Sequence, residues 1–274
     1  MPLIADKKGA GMYSLGFIGC GNMGGALARS AQTMLGETVA VFDRTAEKTA
    51  ALEQEYGFIP TTADDIAENA EFVVLGVKPQ QLEEVMAALQ PALEKNPAPV
   101  IVSMAAGVSI DAVKRFAGGD YPVIRIMPNT PCAVGAGVVL YATDGVSAMQ
   151  EKIFRLRLAG AGAFVKMDEK DIDGAGALSG CGPAYFYLFA NGLAQGAQDL
   201  GIDRETAVRL AAQTMIGAGK MLLENGDPIE LKDRVCSPGG TTLAGVAALD
   251  KGNLQEVAAS AVKAAYARTL ELKK

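Results

Sequence analysis

The chain has 274 residues, of which 50% are hydrophobic and 20% are charged, so its composition is that of a globular protein with one or two domains. A formal net charge of -6 argues against a nucleic-acid binder, which needs a basic surface, and no apolar run reaches the roughly 18–20 residues of a membrane helix. The chain has no histidine, which excludes mechanisms that need an imidazole base. Four scattered cysteines and no secretory signal predict a cytoplasmic protein without a metal site.

Short apolar runs alternate with helical patterns through the first part of the chain. Residues 1–11 are predicted to be an N-terminal extension. Predicted strands cover 13–18, 39–42, 72–77, 100–102 and 123–126, with edge strands at 137–141 and 162–167, and predicted helices cover 23–35 and 47–56. This alternation indicates βαβ units, and therefore an α/β domain with a parallel sheet over 12–168.

Strand signals end near residue 168, and Ala-rich helical periodicity follows. This change predicts a helical second domain of about five helices over 169–274. Apolar residues between 203 and 223 share one helical face. Asp227 followed by Pro228 predicts a capped helix start, and Asn253 with Glu256 resembles the capping box of the last helix.

A glycine-rich loop joins the first predicted strand to the first predicted helix. Gly19, Gly21 and Gly24 have the G-x-G-x-x-G spacing of dinucleotide-binding sites. There the first glycine permits a tight turn, the second lets a pyrophosphate approach, and the third lets the helix pack on the strand. Helix-start amides around Asn22 and Met23 would hold the phosphates. The sequence therefore predicts a Rossmann-type domain that binds a dinucleotide through these residues.

Two charged residues follow the second predicted strand and bear on the choice of cofactor. Asp43 lies 19 residues beyond Gly24, close to the ~20 expected for an acid that reads the ribose. Such an acid favours NADH, whereas the guanidinium of Arg44 would hold the 2′-phosphate of NADPH. A solvated surface position is the open alternative for Arg44. We expect both cofactors to bind, with NADPH preferred.

Polar or conformationally special residues follow three further predicted strands. Lys78 and Pro79 follow the strand at 72–77, Ala105 follows 100–102, and Asn129 follows 123–126. Ligands bind at the carboxyl ends of strands in an open parallel sheet, so these four residues are cofactor-binding candidates. A surface charge is the open alternative for Lys78.

Two glycine-rich turns lie in the predicted helical domain. The turn at 179–183 would break a helix, either as a hinge or as a surface that approaches the nicotinamide closely. The turn at 235–242 feeds a helix start, which is a natural site for a substrate carboxylate. An ordinary Ser/Thr helix cap is the open alternative for this second turn.

Five motifs together resemble the pyrroline-5-carboxylate reductase family. They are GFIGCGNMGGALA at 16–28, VKPQ at 77–80, RIMPNTP at 125–131, ALSGCGPAYFY at 177–187 and LKDRVCSPGGTT at 231–242. The resemblance implies reduction of the C=N bond of 1-pyrroline-5-carboxylate by NAD(P)H, the last step of proline biosynthesis. It also implies that the helical domain is a dimerisation domain, so that each site is built from two chains of a homodimer or larger homo-oligomer.

The resemblance implies roles for individual residues of the turn at 235–242. Ser237, Gly239, Gly240 and Thr241 would hold the substrate carboxylate, and Thr242 would hydrogen-bond the ring nitrogen as the catalytic residue. An imine is protonated from solvent near neutral pH, so a chain without histidine suits this chemistry. The alternatives are a β-hydroxyacid dehydrogenase, whose interdomain lysine has no counterpart after Gly182, and a non-catalytic dinucleotide sensor.

Overall fold

The computed structural model describes residues 13–31 and 38–272, without the side chain of Asn225. The predicted extension at 1–11 lies outside the described residues. The described residues form two compact units, which we call the sheet unit (up to Gly180, and from Tyr266 onward) and the helical unit (Cys181–Ala265). The division of the sequence into domains at residue 168 stays a prediction.

The sheet unit contains an eight-stranded sheet in the order β3-β2-β1-β4-β5-β6-β7-β8. The strands are β1 (Tyr13–Ile18), β2 (Val39–Phe42), β3 (Ile59–Pro60), β4 (Ala70–Leu75), β5 (Val100–Ser103), β6 (Val123–Met127), β7 (Gly137–Asp144) and β8 (Gly162–Lys166). Neighbours from β3 to β6 pair in parallel, and the chain reverses its direction of travel across the sheet between β1 and β4. This arrangement confirms the predicted Rossmann-type sheet and puts its topological switch point beside the glycine-rich loop.

Helices pack on the sheet and follow its strands in the chain. They are α1 (Asn22–Ala31), α2 (Ala46–Tyr56), α3 (Ala63–Asn69), α4 (Pro79–Leu93), α5 (Ile110–Ala117), α6 (Ala148–Arg157) and α7 (Glu169–Ser179), with short 3-10 helices at Thr130–Val134 and Ala159–Ala161. The prediction of a first helix over 23–35 places its start one residue late, and positions 32–37 lie outside the described residues.

Three details of the strand predictions were wrong. The strand predicted at 72–77 ends at Leu75, because Gly76 turns the chain and Pro79 begins α4. The strand β7, predicted to be an edge strand, lies between β6 and β8 and runs antiparallel to β6. The strand β3 was not predicted because it has only two residues.

The central strands of the sheet are buried on both faces, which explains why they are continuous apolar runs, whereas the edge strands β3 and β8 are largely exposed. Phe72 and Val74 of β4 belong to one core cluster, whereas Val73 and Leu75 belong to the other. Successive side chains of a strand point to opposite faces, so the two clusters are the two layers on either side of the sheet. The helices packed on both faces of the sheet thus hold the carboxyl ends of the strands in fixed positions.

The helical unit is built from long helices joined by short turns. They are α8 (Gly182–Asp199), α9 (Arg204–Asn225), α10 (Pro228–Val235), α11 (Thr241–Lys251) and α12 (Leu254–Leu272, which continues past this unit). With α7, six helices follow residue 168 in the described part of the chain, one more than predicted. The side chain of Asp227 accepts hydrogen bonds from the amides of Ile229 and Glu230, which confirms the predicted cap of α10. Among the described residues, no helix is both long and apolar enough to cross a membrane.

Candidate functional site

The glycine-rich loop follows β1 and turns tightly into α1. Gly19 has a left-handed backbone with φ of 98°, a conformation that favours glycine. A Cβ atom on Gly24 would lie 2.0 Å from the carbonyl oxygen of Gly19, and one on Gly76 would lie 2.2 Å from the same oxygen. A Cβ atom on Gly21 would meet nothing within 4 Å. Three glycines thus pack the loop against the end of β4, while the fourth leaves open space above the backbone.

The start of α1 presents backbone amides beside this open space. The helix begins at Asn22, and its first intrahelical hydrogen bond runs from the Gly25 amide to the Gly21 carbonyl at 2.8 Å. The amides of Asn22, Met23 and Gly24 precede that bond, so the helix itself gives them no acceptor. Such a helix start is an anion-binding geometry.

A cleft of about 440 Å³ lies along the carboxyl ends of β1, β2 and β4. It brings together Gly19 and Gly21 of the loop, Asp43 and Arg44 after β2, and Lys78 after β4. Its lining includes neither Ala105 nor Asn129, and it is not lined by Asn22, Met23, Gly24 or Pro79. Five of the predicted cofactor residues are thus brought to one cleft.

Asp43 connects the glycine-rich loop to the turn between β2 and α2. One carboxylate oxygen accepts the Cys20 amide at 2.8 Å, and the other accepts the Thr45 amide at 2.9 Å and the Lys48 ammonium at 3.2 Å. Burial acts to raise the pKa of Asp43, but the hydrogen bonds from Thr45, Cys20 and Lys48 outweigh it and lower the pKa below its ordinary value. The carboxylate is therefore ionised at neutral pH and already bound by three donors.

The Cys20 thiol lies inside the glycine-rich loop and takes no part in acid–base chemistry near neutral pH. Burial, aided by the nearby charge of Asp43, raises its pKa to about 12. The thiol packs toward the Phe42 carbonyl, with a sulfur–oxygen distance of 3.6 Å. Cys20 is thus a small packing residue that holds the loop against β2.

Alternate residues of β6 and the loop after it contact α7. The Arg125 guanidinium pairs with Asp173 at 2.6 Å, and both side chains are almost fully buried. Two residues further along, Met127 packs on Gly176, where a Cβ atom would lie 3.1 Å from the Met127 Cγ. This series of contacts fixes α7 along the strand.

Asn129 continues that series and was predicted to bind the cofactor. Its amide nitrogen donates to the Ser179 carbonyl at 3.0 Å, and its amide oxygen accepts the Val138 amide at 2.9 Å. Asn129 is buried, and so is Ala105, which is 2% exposed. The side-chain amide of Asn129 thus links the segment after β6 to the end of α7 through its nitrogen and to β7 through its oxygen.

The turn before α11 lies in the helical unit and is mostly exposed. Gly239 has a left-handed φ of 73°, and the Gly240 amide donates to the Ser237 carbonyl at 2.9 Å. The helix α11 begins at Thr241, so Thr242 occupies its first turn. The first intrahelical bond comes from the Ala244 amide, which leaves the amides of 241–243 without an acceptor inside the helix. The predicted feature, a glycine turn that feeds a helix start, is confirmed.

Among the cleft residues that were not singled out from the sequence, two contact the predicted site residues directly. Gly76 supports the glycine-rich loop, and its place between a buried strand and Lys78–Pro79 was the available signal. Lys48 lines the cleft and pairs with Asp43. Its signal was weak, because a lysine in the first turns of a polar helix is ordinarily a solvated residue.

The sheet unit has a Rossmann-type sheet with the glycine-rich loop at its switch point, and the helical unit follows it in the chain. This combination defines a dinucleotide-binding oxidoreductase with two structural units. Residues 169–272 match the family model described as pyrroline-5-carboxylate reductase dimerisation, and residues 14–107 match the model of NADP oxidoreductases that are coenzyme F420-dependent. The chain belongs to the pyrroline-5-carboxylate reductase family.

Individual relatives support this assignment over nearly the whole chain. The chain is 36% identical to a pyrroline-5-carboxylate reductase of Pisum sativum, over 99% of this chain and 98% of the relative. A solved pyrroline-5-carboxylate reductase of Coxiella burnetii is 32% identical with a TM-score of 0.86, over 96% of this chain and 99% of that one. A Plasmodium falciparum pyrroline carboxylate reductase, solved with NADP bound, is 29% identical with a TM-score of 0.84, over 97% of this chain and 100% of that one. These matches favour the predicted family over a β-hydroxyacid dehydrogenase or a non-catalytic sensor.

Proposed function

We propose that the protein reduces 1-pyrroline-5-carboxylate to L-proline with NADPH, and also with NADH, in the last step of proline biosynthesis. The observation that carries the proposal is the glycine-rich loop at the sheet's switch point, which leaves open space at Gly21, in a chain of this family. A dinucleotide fits it, because Gly21 leaves the space that a pyrophosphate needs and the start of α1 offers amides to it.

The cofactor is held by residues of the sheet unit. The glycine cradle is formed by Gly19, Gly21, Asn22, Met23 and Gly24, and Asp43, Arg44 and Lys78 line the cleft beside it, whereas the predicted residues Pro79, Ala105 and Asn129 lie at neighbouring strand ends outside the cleft lining. When bound, NADPH supplies a hydride for the C=N carbon. The cationic groups of Arg44 and Lys78 line the cleft and counter the negative charge of the cofactor.

The substrate is held by the turn before α11. The carboxylate is bound by the turn formed by Ser237, Gly239, Gly240 and Thr241, at the positive end of the helix. The Thr242 hydroxyl hydrogen-bonds the ring nitrogen, orients the iminium and assists transfer of the proton that comes from solvent. The catalytic contribution of these residues is mainly one of orientation.

The test is the loss of NADPH absorbance at increasing concentrations of synthetic 1-pyrroline-5-carboxylate, repeated with NADH. Thr242→Ala is expected to lower kcat by about 10- to 100-fold, the range of a lost transition-state hydrogen bond. Thr242→Ser is the matched control, because it keeps the hydroxyl at the same position and is expected to change kcat by less than about threefold. An unchanged kcat in Thr242→Ala removes Thr242 from the mechanism, and no turnover by the native protein refutes the activity.

We also propose that the protein forms a homodimer through its helical unit. Large apolar side chains are exposed on α8 and α9, including Tyr187, Leu188 and Leu223, which are 66%, 74% and 90% exposed in the single chain. Exposed apolar side chains of this size mark an interaction surface, and the match of residues 169–272 to a dimerisation family model favours a second copy of this chain as the partner. Light scattering coupled to gel filtration measures the mass, and a monomer at micromolar concentration would refute the dimer. The cytoplasmic location stays a prediction.

A further inference from the structure

The cleft after β2 combines an acid that ordinarily favours NADH with cations that favour a phosphorylated cofactor. Its lining holds the cations Arg44, Lys48 and Lys78 among the described residues, and the acids Asp43, Asp64 and Glu84. An unpaired carboxylate at the position of Asp43 would repel a 2′-phosphate, which carries a charge of about -1.5 to -2 near pH 7. The cofactor preference therefore depends on what balances Asp43.

The contacts of Asp43 show that its carboxylate is used within the protein. A carboxylate has about four lone-pair sites. Three are occupied by the amides of Cys20 and Thr45 and by the ammonium of Lys48. Only 11% of the Asp43 side chain is exposed, against 46% of the Lys48 side chain. Asp43 thus organises two loops, and Lys48 presents the accessible charge of the pair.

We propose that Lys48 is a specificity-determining residue that binds the 2′-phosphate of NADPH while it neutralises Asp43. The inference rests on the proposed function, because it assigns part of the same cofactor cleft. Lys48 suits this role because its ammonium has three donors and Asp43 uses one of them. Arg44 and Thr45 also line the cleft and would complete a phosphate pocket with Lys48. Asp43 acts as a positioning residue, since its hydrogen bonds fix the turn that carries Lys48.

The decisive measurement is the binding of two cofactor fragments, adenosine 2′,5′-bisphosphate and AMP, by titration calorimetry. These fragments differ by the 2′-phosphate, and their binding does not depend on turnover of the substrate. Lys48→Met is expected to weaken binding of the bisphosphate by about 10- to 100-fold, as for a lost hydrogen bond to a charged group, and binding of AMP by less than about threefold. Lys48→Arg is expected to restore most of the affinity for the bisphosphate.

Lys78→Met is the matched control, because it removes a cation of the same cleft at the end of β4. It is expected to weaken both fragments by a similar factor. Equal losses for both fragments in Lys48→Met, or no loss for either, overturn the inference, and so does a native protein that binds AMP as tightly as the bisphosphate. If the native protein binds neither fragment, both this inference and the proposed cofactor fail. If it binds the bisphosphate selectively but does not reduce 1-pyrroline-5-carboxylate, only the proposed activity fails.

Discussion

The buried ion pair between β6 and α7 gives the largest stability effect that we predict for a single substitution. Arg125 and Asp173 have side chains that are 4% and 1% exposed, and their atoms Nη2 and Oδ1 lie 2.6 Å apart. In Asp173→Ala, the guanidinium keeps Glu169 at 3.2 Å, a residue that is 32% exposed. Removal of one partner from a buried pair costs about 3–5 kcal/mol, because the remaining charge stays buried. The expected shift in the folding equilibrium is therefore at least about a hundredfold.

Equilibrium unfolding in urea, followed by circular dichroism at one fixed protein concentration, measures this cost. Glu169→Gln is the matched control, because it keeps an acceptor for the Ile110 amide and alters the more exposed pair, so it is expected to cost about 1 kcal/mol or less. The double variant Arg125→Met/Asp173→Leu removes both charges and is expected to be more stable than Asp173→Ala. A loss below about 1 kcal/mol in Asp173→Ala, or a double variant as unstable as the single one, would refute the reasoning.

Two other substitutions test the glycine cradle and the pH dependence of stability. Gly24→Ala is expected to weaken NADPH binding by about tenfold or more, because its methyl group would meet the Gly19 carbonyl, whereas Gly25→Ala, with 3.4 Å to its nearest neighbour, is expected to bind normally in a fluorescence titration. Hydrogen bonds from Thr61, and then from Tyr13 and Asn69, lower the pKa of Asp65 below its ordinary value of 3.8, against the effect of burial. The ionised carboxylate thus stabilises the fold above that ordinary value, and this contribution is lost as the pH falls through the lower, folded-state pKa. Below about pH 4, the free energy of unfolding of Asp65→Asn should therefore fall less steeply with decreasing pH than that of the native protein. Equal slopes of the unfolding free energy against pH for the two proteins would contradict this.

The sheet could be predicted from the sequence because its strands are buried on both faces and read as apolar runs. The direction of β7 could also have been derived. A parallel connection needs about a dozen residues or more, usually with a helix, and the segment 128–136 between β6 and β7 is too short for one. It forms a 3-10 turn instead, so the chain returns antiparallel. Loop length here carries information that the apolar pattern does not.

The sequence predicted where the cleft residues lie better than it predicted which groups they bond, and Asp43 shows the physical reason. Its spacing from Gly24 placed it correctly at the cleft, because spacing reports the length of the βαβ unit. Its hydrogen bonds depend on the left-handed turn at Gly19, which precedes the Cys20 amide that Asp43 accepts. A hydrogen bond between residues 23 positions apart is set by tertiary structure and leaves no local pattern in the sequence.

Asn129 leads to the same conclusion and suggests a criterion for such residues. Polar side chains at strand ends serve either a ligand or the backbone groups of the loops that meet there, and residue type does not distinguish these uses. The amide of Asn129 bonds Val138 and Ser179, as the carboxylate of Asp43 bonds two loop amides. Lys48, by contrast, makes one side-chain hydrogen bond among the described residues, so its ammonium has two donors to spare at the cleft wall. Unused hydrogen-bonding capacity at the cleft wall, more than position in the sheet, is therefore the criterion by which we propose Lys48 as a residue that binds the cofactor.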